Sequence, residues 1–216
     1  MGFSSFFLSF LFIFSILSSQ TAVAFIGTYG INYGRIADNL PSPDAVATLL
    51  KSAKIRNIRI YDADQSVLKA FSGTGIEIIV GLGNEFLKDI SVGEDRAMNW
   101  IKENVEPFIR GGTRISGIAV GNEILGGTDI GLWEALLPAA KNVYSALRRL
   151  GLHTVVEVSS PHSEAVFADS YPPSSCKFRD DVAPFMRPLL AFSGKLGRRF
   201  TLTPTLFLLT NPTRKQ

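Results

Sequence analysis

Short apolar blocks alternate with longer segments of helical spacing over the first two-thirds of the chain. Residues 28–34 read as a first strand, ending in Asn32-Tyr33. Ser42 then fits a helix N-cap, Pro43 the first helical position, and Val46, Leu49, Leu50 and Ala53 one face of the helix. Residues 57–62 alternate as a strand, and a short helix is expected over 65–71. Residues 76–82 form a third strand, followed by a helix over 94–109 whose Ala97, Ile101, Val105 and Phe108 share a face. Residues 115–121 are a fourth strand, a glycine-bounded apolar run of the kind that suits a fully buried parallel strand. A helix follows over 132–150, its regular part expected to begin nearer Pro138, with Gly151 at the C′ position. Residues 153–160 read as a fifth strand. Beyond Pro161 the pattern weakens to a Pro172-Pro173-Ser174-Ser175 loop and a short helix over 185–192. Residues 201–210 are strand-like in composition, though Pro204 argues against a central strand.

Alternating strand and helix imply a parallel sheet covered by helices. Several strands end in polar or aromatic residues: Asn32-Tyr33, Tyr61-Asp62, Asn84-Glu85, Asn122-Glu123 and Ser159-Ser160. In a barrel these ends share one rim, where barrel enzymes keep their chemistry. In an open doubly wound sheet they share one edge, so the pattern alone leaves both architectures open. Asn122-Glu123 is the strongest candidate. A carboxylic acid kept protonated by apolar surroundings or a second carboxylate can donate a proton to a leaving oxygen. Taken alone, an Asn-Glu pair after a strand favours the reading of Glu123 as a solvated loop residue.

Composition adds bounds. Residues 6–17 are apolar apart from Ser9 and Ser15, and Ala22-Val23-Ala24 gives a small-x-small cleavage site, so residues 1–24 read as a secretory signal peptide. The remainder can bury a core but falls short of the ~250 residues of a complete (β/α) barrel. The single cysteine, Cys176, excludes an internal disulfide and reads as a buried, inert thiol. Lys195, Arg198, Arg199, Arg214 and Lys215 lie in a tail without acids, and removing them turns the net charge of +3 into −2. The basicity therefore belongs to the tail and does not point to nucleic acid. His153 reads as structural. His162 is placed on the rim, where substrate contact and a turn hydrogen bond are both open. The two isolated histidines make no metal site. Glu157 reads as a paired core charge, and Asp62 as a structural or sugar-binding residue.

Four motifs stand in order: Gly30-Ile31-Asn32-Tyr33-Gly34-Arg35, Asn57-Ile58-Arg59-Ile60-Tyr61-Asp62, Ala119-Val120-Gly121-Asn122-Glu123 and Ser160-Pro161-His162-Ser163. In identity, order and spacing they resemble the plant endo-β-1,3-glucanases of glycoside hydrolase family 17. The likeness runs from about Gly27 to Ser193. It implies an α/β fold, a (β/α)8 TIM barrel present here as about its first five β/α units, with residues 25–193 as a partial catalytic domain. It implies retaining hydrolysis of internal bonds in β-1,3-glucan, with no cofactor. It places the proton donor on Glu123, sugar binding on Asn122 and the lining of the scissile-bond subsite on Tyr33. A retaining enzyme also needs a nucleophilic carboxylate about 5–5.5 Å from the acid. The family carries it in a Glu-Thr-Gly-Trp-Pro type motif on the seventh strand, and no residue here matches it. Glu85 also follows Gly-Asn, but the family places no nucleophile on the third strand.

The tail of residues 194–216 departs from the family, which continues with a strand like Gly-Ser-Pro-Phe-Tyr-Ile-Asn-Ala-Tyr-Pro-Phe-Leu-Ala-Tyr. Codon arithmetic accounts for the difference. AAA TTG GGT CGC CGT TTT is a permitted coding of residues 195–200. Read from its third base it gives Ile-Gly-Ser-Pro-Phe. Residues 201–209 as ACA TTA ACG CCT ACC CTT TTC TTG CTT, followed by ACA, give Tyr-Ile-Asn-Ala-Tyr-Pro-Phe-Leu-Ala-Tyr in the same shifted frame. The tail is therefore expected to be translated out of frame.

The expected function is that of a secreted, extracellular or cell-wall β-1,3-glucan hydrolase, with poor folding and little hydrolysis from the 216-residue chain itself. A non-catalytic glucan-binding fragment is the alternative. A doubly wound nucleotide-binding domain lacks its glycine-rich loop, because Gly30 and Gly34 do not fit the spacing. No protein partner is inferable.

Overall fold

The computed structural model describes residues 30–196 and 201–202. Its central sheet has five parallel strands in chain order: β1 (Ile31–Asn32), β2 (Asn57–Arg59), β3 (Glu77–Leu82), β4 (Arg114–Val120) and β5 (Glu157–Ser159). Doubly wound sheets reverse their strand order at a switch point. An unreversed succession of parallel strands is the wall of a barrel, and this removes the ambiguity left by the sequence. After one further residue, β6 (Pro161–His162) carries the chain on. Strands β7 (Phe167–Asp169) and β8 (Lys177–Phe178) form an antiparallel excursion. Then β9 (Thr201–Leu202) pairs parallel with β6 in a separate two-stranded sheet. The strand-like composition of residues 201–210 is thus matched at its first two positions, and residues 203–210 lie outside the described residues, as does the segment read as a signal peptide.

The helices follow local chemistry. Helix α1 (Pro43–Ser52) starts as expected, the Ala45 N–H donating to the Ser42 hydroxyl at 3.3 Å. Helix α2 (Gln65–Ala70) is capped by Asp64, whose carboxylate accepts from the N–H groups of Ser66 and Val67. A helix absent from the sequence reading, α3 (Leu87–Val92), precedes α4 (Glu94–Asn104) and α5 (Glu106–Arg110). The single helix expected over 94–109 breaks at Val105 (φ −126°, ψ −56°), because Pro107 cannot continue a helical ladder but suits the first turn of a new helix. Helix α6 (Ile130–Arg149) begins eight residues before Pro138 rather than near it. Both Pro138 and the residue whose carbonyl it leaves unbonded, Glu134, are solvent-exposed, so water can serve that carbonyl. Gly151 takes the left-handed conformation expected of C′ (φ +71°). Helix α7 (Ala183–Lys195) extends the helix expected over 185–192 at both ends.

Three readings need correction. The first half of the expected strand 153–160 is a tight turn, the Leu152 carbonyl accepting from the N–H groups of Val155 and Val156 at 3.0 and 2.9 Å, so pairing starts only at Glu157. Glu157 is exposed and not a core charge, since this sheet edge lies open beside it. Cys176 is exposed, not buried, because it sits in the irregular segment between the Pro173–Ser175 turn and β8.

The core lies between sheet and helices. Ile60, Ile78, Val80, Ile118 and Val120 are wholly inaccessible, as are Ile101, Ala139, Val143 and Leu147 from the helix layer. Each large aliphatic side chain buried in this way contributes about 1.5–3 kcal/mol. Helices α6 and α7 meet through an edge-to-face contact between Trp133 and Phe185, 5.5 Å between centroids. The β3–β4 ladder carries a bulge: Ile78 pairs with Ile115 and Ile79 with Gly117, leaving Ser116 as the extra residue. Among the described residues no helix is long and apolar enough to cross a membrane.

Strands β2 and β3 approach so closely beyond their ladder that Gly81 has no room for a side chain. A Cβ there would lie 2.3 Å from the backbone carbonyl of Tyr61. Gly81→Ala must push the two strand ends apart. It is expected to cost about 1–3 kcal/mol, the usual range for overpacking, read as a lower midpoint of urea unfolding.

Candidate active site

The C-terminal ends of β1 to β4 open into a cleft of about 790 Å³ lined by Tyr33, Arg35, Tyr61, Asn84, Glu85 and Asn122, among others. The construction begins in β4. Its last ladder bond runs from the Gly121 N–H to the Leu82 carbonyl at 2.9 Å, and the chain then turns at Gly121 in the left-handed region (φ +67°). A Cβ at Gly121 would sit 2.8 Å from the Ile124 side chain, so both conformation and space require glycine. Glu123 is itself left-handed (φ +53°), a conformation that disfavours a side chain. Such strain persists only where the surroundings enforce it.

The surroundings here are specific. The Asn84 side chain forms a reciprocal pair with the backbone of Asn122: its Oδ1 accepts from the Asn122 N–H at 2.7 Å, and its Nδ2 donates to the Asn122 carbonyl at 3.1 Å. The Glu123 N–H donates to the Pro161 carbonyl at 3.0 Å, tying the turn to β6. The Arg59 guanidinium donates to Asn122 Oδ1 at 2.6 Å and lies over the Tyr61 ring, 4.7 Å from its centroid. Burial pushes Arg59 below the usual arginine value, and the neighbouring Tyr61 and Glu123 oppose that shift. Glu123 is half-buried beside this group.

Tyr33 reaches the rim from β1, its N–H bonded to the Arg59 carbonyl at 2.8 Å and its ring tilted against Phe71 at 6.3 Å. Burial raises the Tyr33 hydroxyl pKa, with Arg35 opposing and Asp64 adding to the rise. Arg35 bridges Asp62 at 2.5 Å and Asp64 at 3.0 Å, giving Asp62 a structural role. The Ser66 hydroxyl, more than the Val67 N–H and Arg35, holds the Asp64 carboxyl down at about 2 against the opposing effect of burial.

The structure thus brings Tyr33 and Asn122 to one cleft with Glu123 next to them. His162, read as a rim residue, is instead buried at 1 % exposure within β6 and does not line the cleft. Burial lowers its pKa to about 4, so the folded protein holds it neutral at physiological pH. Sequence reasoning missed Arg59 and underrated Asn84. Their signals were present: Asn84 stood among the polar strand ends, and Arg59 alternates with the buried Ile58 and Ile60. Among the described residues no cluster of three or more potential metal ligands occurs.

The parallel strands thus carry, just past the end of the fourth, an anchored asparagine and a left-handed glutamate beside the cleft. The sequence profile of the glycosyl hydrolases family 17 matches residues 29–202, and the chain belongs to that family. It is 43% identical over 187 residues to glucan endo-1,3-beta-glucosidase 14 of Arabidopsis thaliana, covering 87% of this chain and 47% of that protein. It is 44% identical over 173 residues to glucan endo-1,3-beta-glucosidase 11 of the same plant, covering 80% and 40%. Among solved structures it resembles CJP38, a beta-1,3-glucanase and allergen of Cryptomeria japonica pollen. The TM-score is 0.78 at 36% identity, over 82% of this chain and 55% of that one. The chain spans about half the length of these relatives.

Losing the Asn84 amide strands two polar groups of the Asn122 backbone. Asn84→Ala is expected to destabilise the fold by about 1–3 kcal/mol, the range for buried groups left without partners. Asn84→Asp keeps the acceptor but sets an oxygen against the Asn122 carbonyl, and should not recover the loss. Urea unfolding of the three proteins measures both effects.

Proposed function

We propose that this chain is the acid-bearing part of a retaining endo-1,3-β-glucanase acting on β-1,3-glucan. Glu123 donates a proton to the bridging oxygen and then removes one from the water that completes the reaction. Asn122 holds the sugar: with its Oδ1 engaged by Arg59, its amide NH2 is the group left for a sugar hydroxyl. Tyr33 offers a ring face and a hydroxyl on the same cleft. The observation that carries this reading is the left-handed Glu123, held from three sides at the C-terminal end of β4. No step needs a cofactor. Residues 1–24 are proposed to direct secretion to the extracellular space or cell wall.

The attacking carboxylate belongs to the family's seventh strand, so the 216-residue chain alone is proposed to hydrolyse little or nothing. From about residue 194 onward we assign the tail to a shifted reading frame. The genomic and transcript sequences across codons 190–216 check this. They are expected to encode Gly-Ser-Pro-Phe-Tyr-Ile-Asn-Ala-Tyr in the adjacent frame, and its absence there rejects the assignment.

The activity is tested on laminarin with the frame-restored protein. Glu123→Gln should lower kcat by about 10²–10⁴-fold, the usual worth of a general acid, with oligosaccharide binding retained. Undiminished turnover in that variant, or family-like hydrolysis by the 216-residue chain, rejects the reading. Laminarin binding by the 216-residue chain without cleavage would support its alternative role as a glucan-binding fragment.

A further inference from the structure

The opposite end of the sheet carries a second concavity of about 490 Å³. It lies where β2, β3 and β4 begin: Asn57 pairs with Glu77, and Glu77 with Arg114, along this lower rim. Its walls include Lys51, Lys54, Arg56 and Arg114, with Glu77 and Thr74 between them. Glu77 is the single acid of the lining and is already engaged by Arg114 at 2.6 Å. Among the described residues no carboxylate is paired with Lys51, Lys54 or Arg56.

Lys51 alone has a simple structural explanation, since a cation in the last turn of α1 complements the helix dipole. Lys54 does not. It occupies the C′ position of α1, where the Lys54 N–H donates to the Lys51 carbonyl at 3.1 Å and the Ile55 N–H to the Leu50 carbonyl at 2.9 Å. That bonding pattern places Lys54 in the left-handed region (φ +59°), where glycine is the favoured residue. The chain therefore keeps a left-handed lysine on the same hollow as two more cations without a carboxylate partner among the described residues. Backbone strain at Lys54 opposes folding, and an anion bound only by the folded protein would offset it.

We propose that this lower pocket binds an oxyanion, either a free phosphate or the carboxylate of a uronic acid, on the barrel face away from the Asn122–Glu123 cleft. Lys54 and Arg56 are its principal ligands; the Thr74 hydroxyl is not one, since it already donates to the Phe71 carbonyl at 2.7 Å. The volume admits either ion, being within the ~300–1,000 Å³ range of small-ligand sites. The site is independent of glucan hydrolysis and needs no residue of the upper cleft.

The test is calorimetric titration of the frame-restored protein with inorganic phosphate and, separately, with trigalacturonate, at low and at physiological ionic strength. Saturable binding of either anion is expected, weaker at the higher salt. Phosphate alone would identify a free oxyanion as the ligand, and trigalacturonate alone an acidic polysaccharide. Lys54→Gly should weaken binding at least threefold while raising the thermal midpoint, because it relieves the left-handed lysine. Arg56→Gln should weaken binding with the midpoint unchanged. Neither anion binding at low salt, or affinity unaltered in both variants, overturns the proposal.

Discussion

The pair of hydrogen bonds between the Asn84 side chain and the Asn122 backbone is the contact on which the upper rim depends. It joins the end of β3 to the end of β4 where the ladder has stopped, replacing sheet bonds with side-chain bonds of similar length. Beyond the bond from Gly121 to Leu82, nothing in the β3–β4 ladder fixes the path of residues 122–123. With the Asn84 pair in place, Gly121 turns, Glu123 accepts an unfavourable backbone, and Arg59 can reach Asn122 from β2. Three strands thereby converge on one carboxylate. A loosely held side chain samples many geometries, whereas one fixed through its backbone beside Arg59 samples few.

The barrel wall was legible because each β/α unit carries a local signal. Ser42-Pro43 announced α1, and Gly151 marked the end of α6. The apolar run through Ile118 and Val120 declared a strand buried on both faces. What was not legible depends on contacts far apart in sequence. Nothing local tells that the carbonyl lost at Pro138 faces water, so the helix runs through it. His162 looked like a rim residue because it follows a strand end, yet the chain re-enters a strand there and buries it. Arg59 stands in the motif of residues 57–62, but nothing local marks it as the anchor of Asn122. Its partner lies 63 residues away, beyond any periodicity argument. The exposed Cys176 was misjudged on the general habit of free cysteines, which the irregular segment around it overrides.

Order along the strands also separates two kinds of charge. At the upper end the two arginines are matched: Arg35 with two aspartates, Arg59 with an aromatic face and an amide oxygen. At the lower end the cations outnumber the carboxylates that could meet them. The matched end has its electrostatics satisfied within the protein itself. The unmatched end has its electrostatics incomplete until something negative is present.

The extra residue at Ser116 lies between these two ends. A bulge sharpens twist locally and bends the strand that carries it. The lower part of β4, with Arg114, and the upper part, leading to Asn122, are therefore inclined to one another rather than collinear. Such a bend acts as a mechanical joint, so a small adjustment around Arg114 can be taken up at Ser116 before it tilts the glutamate above.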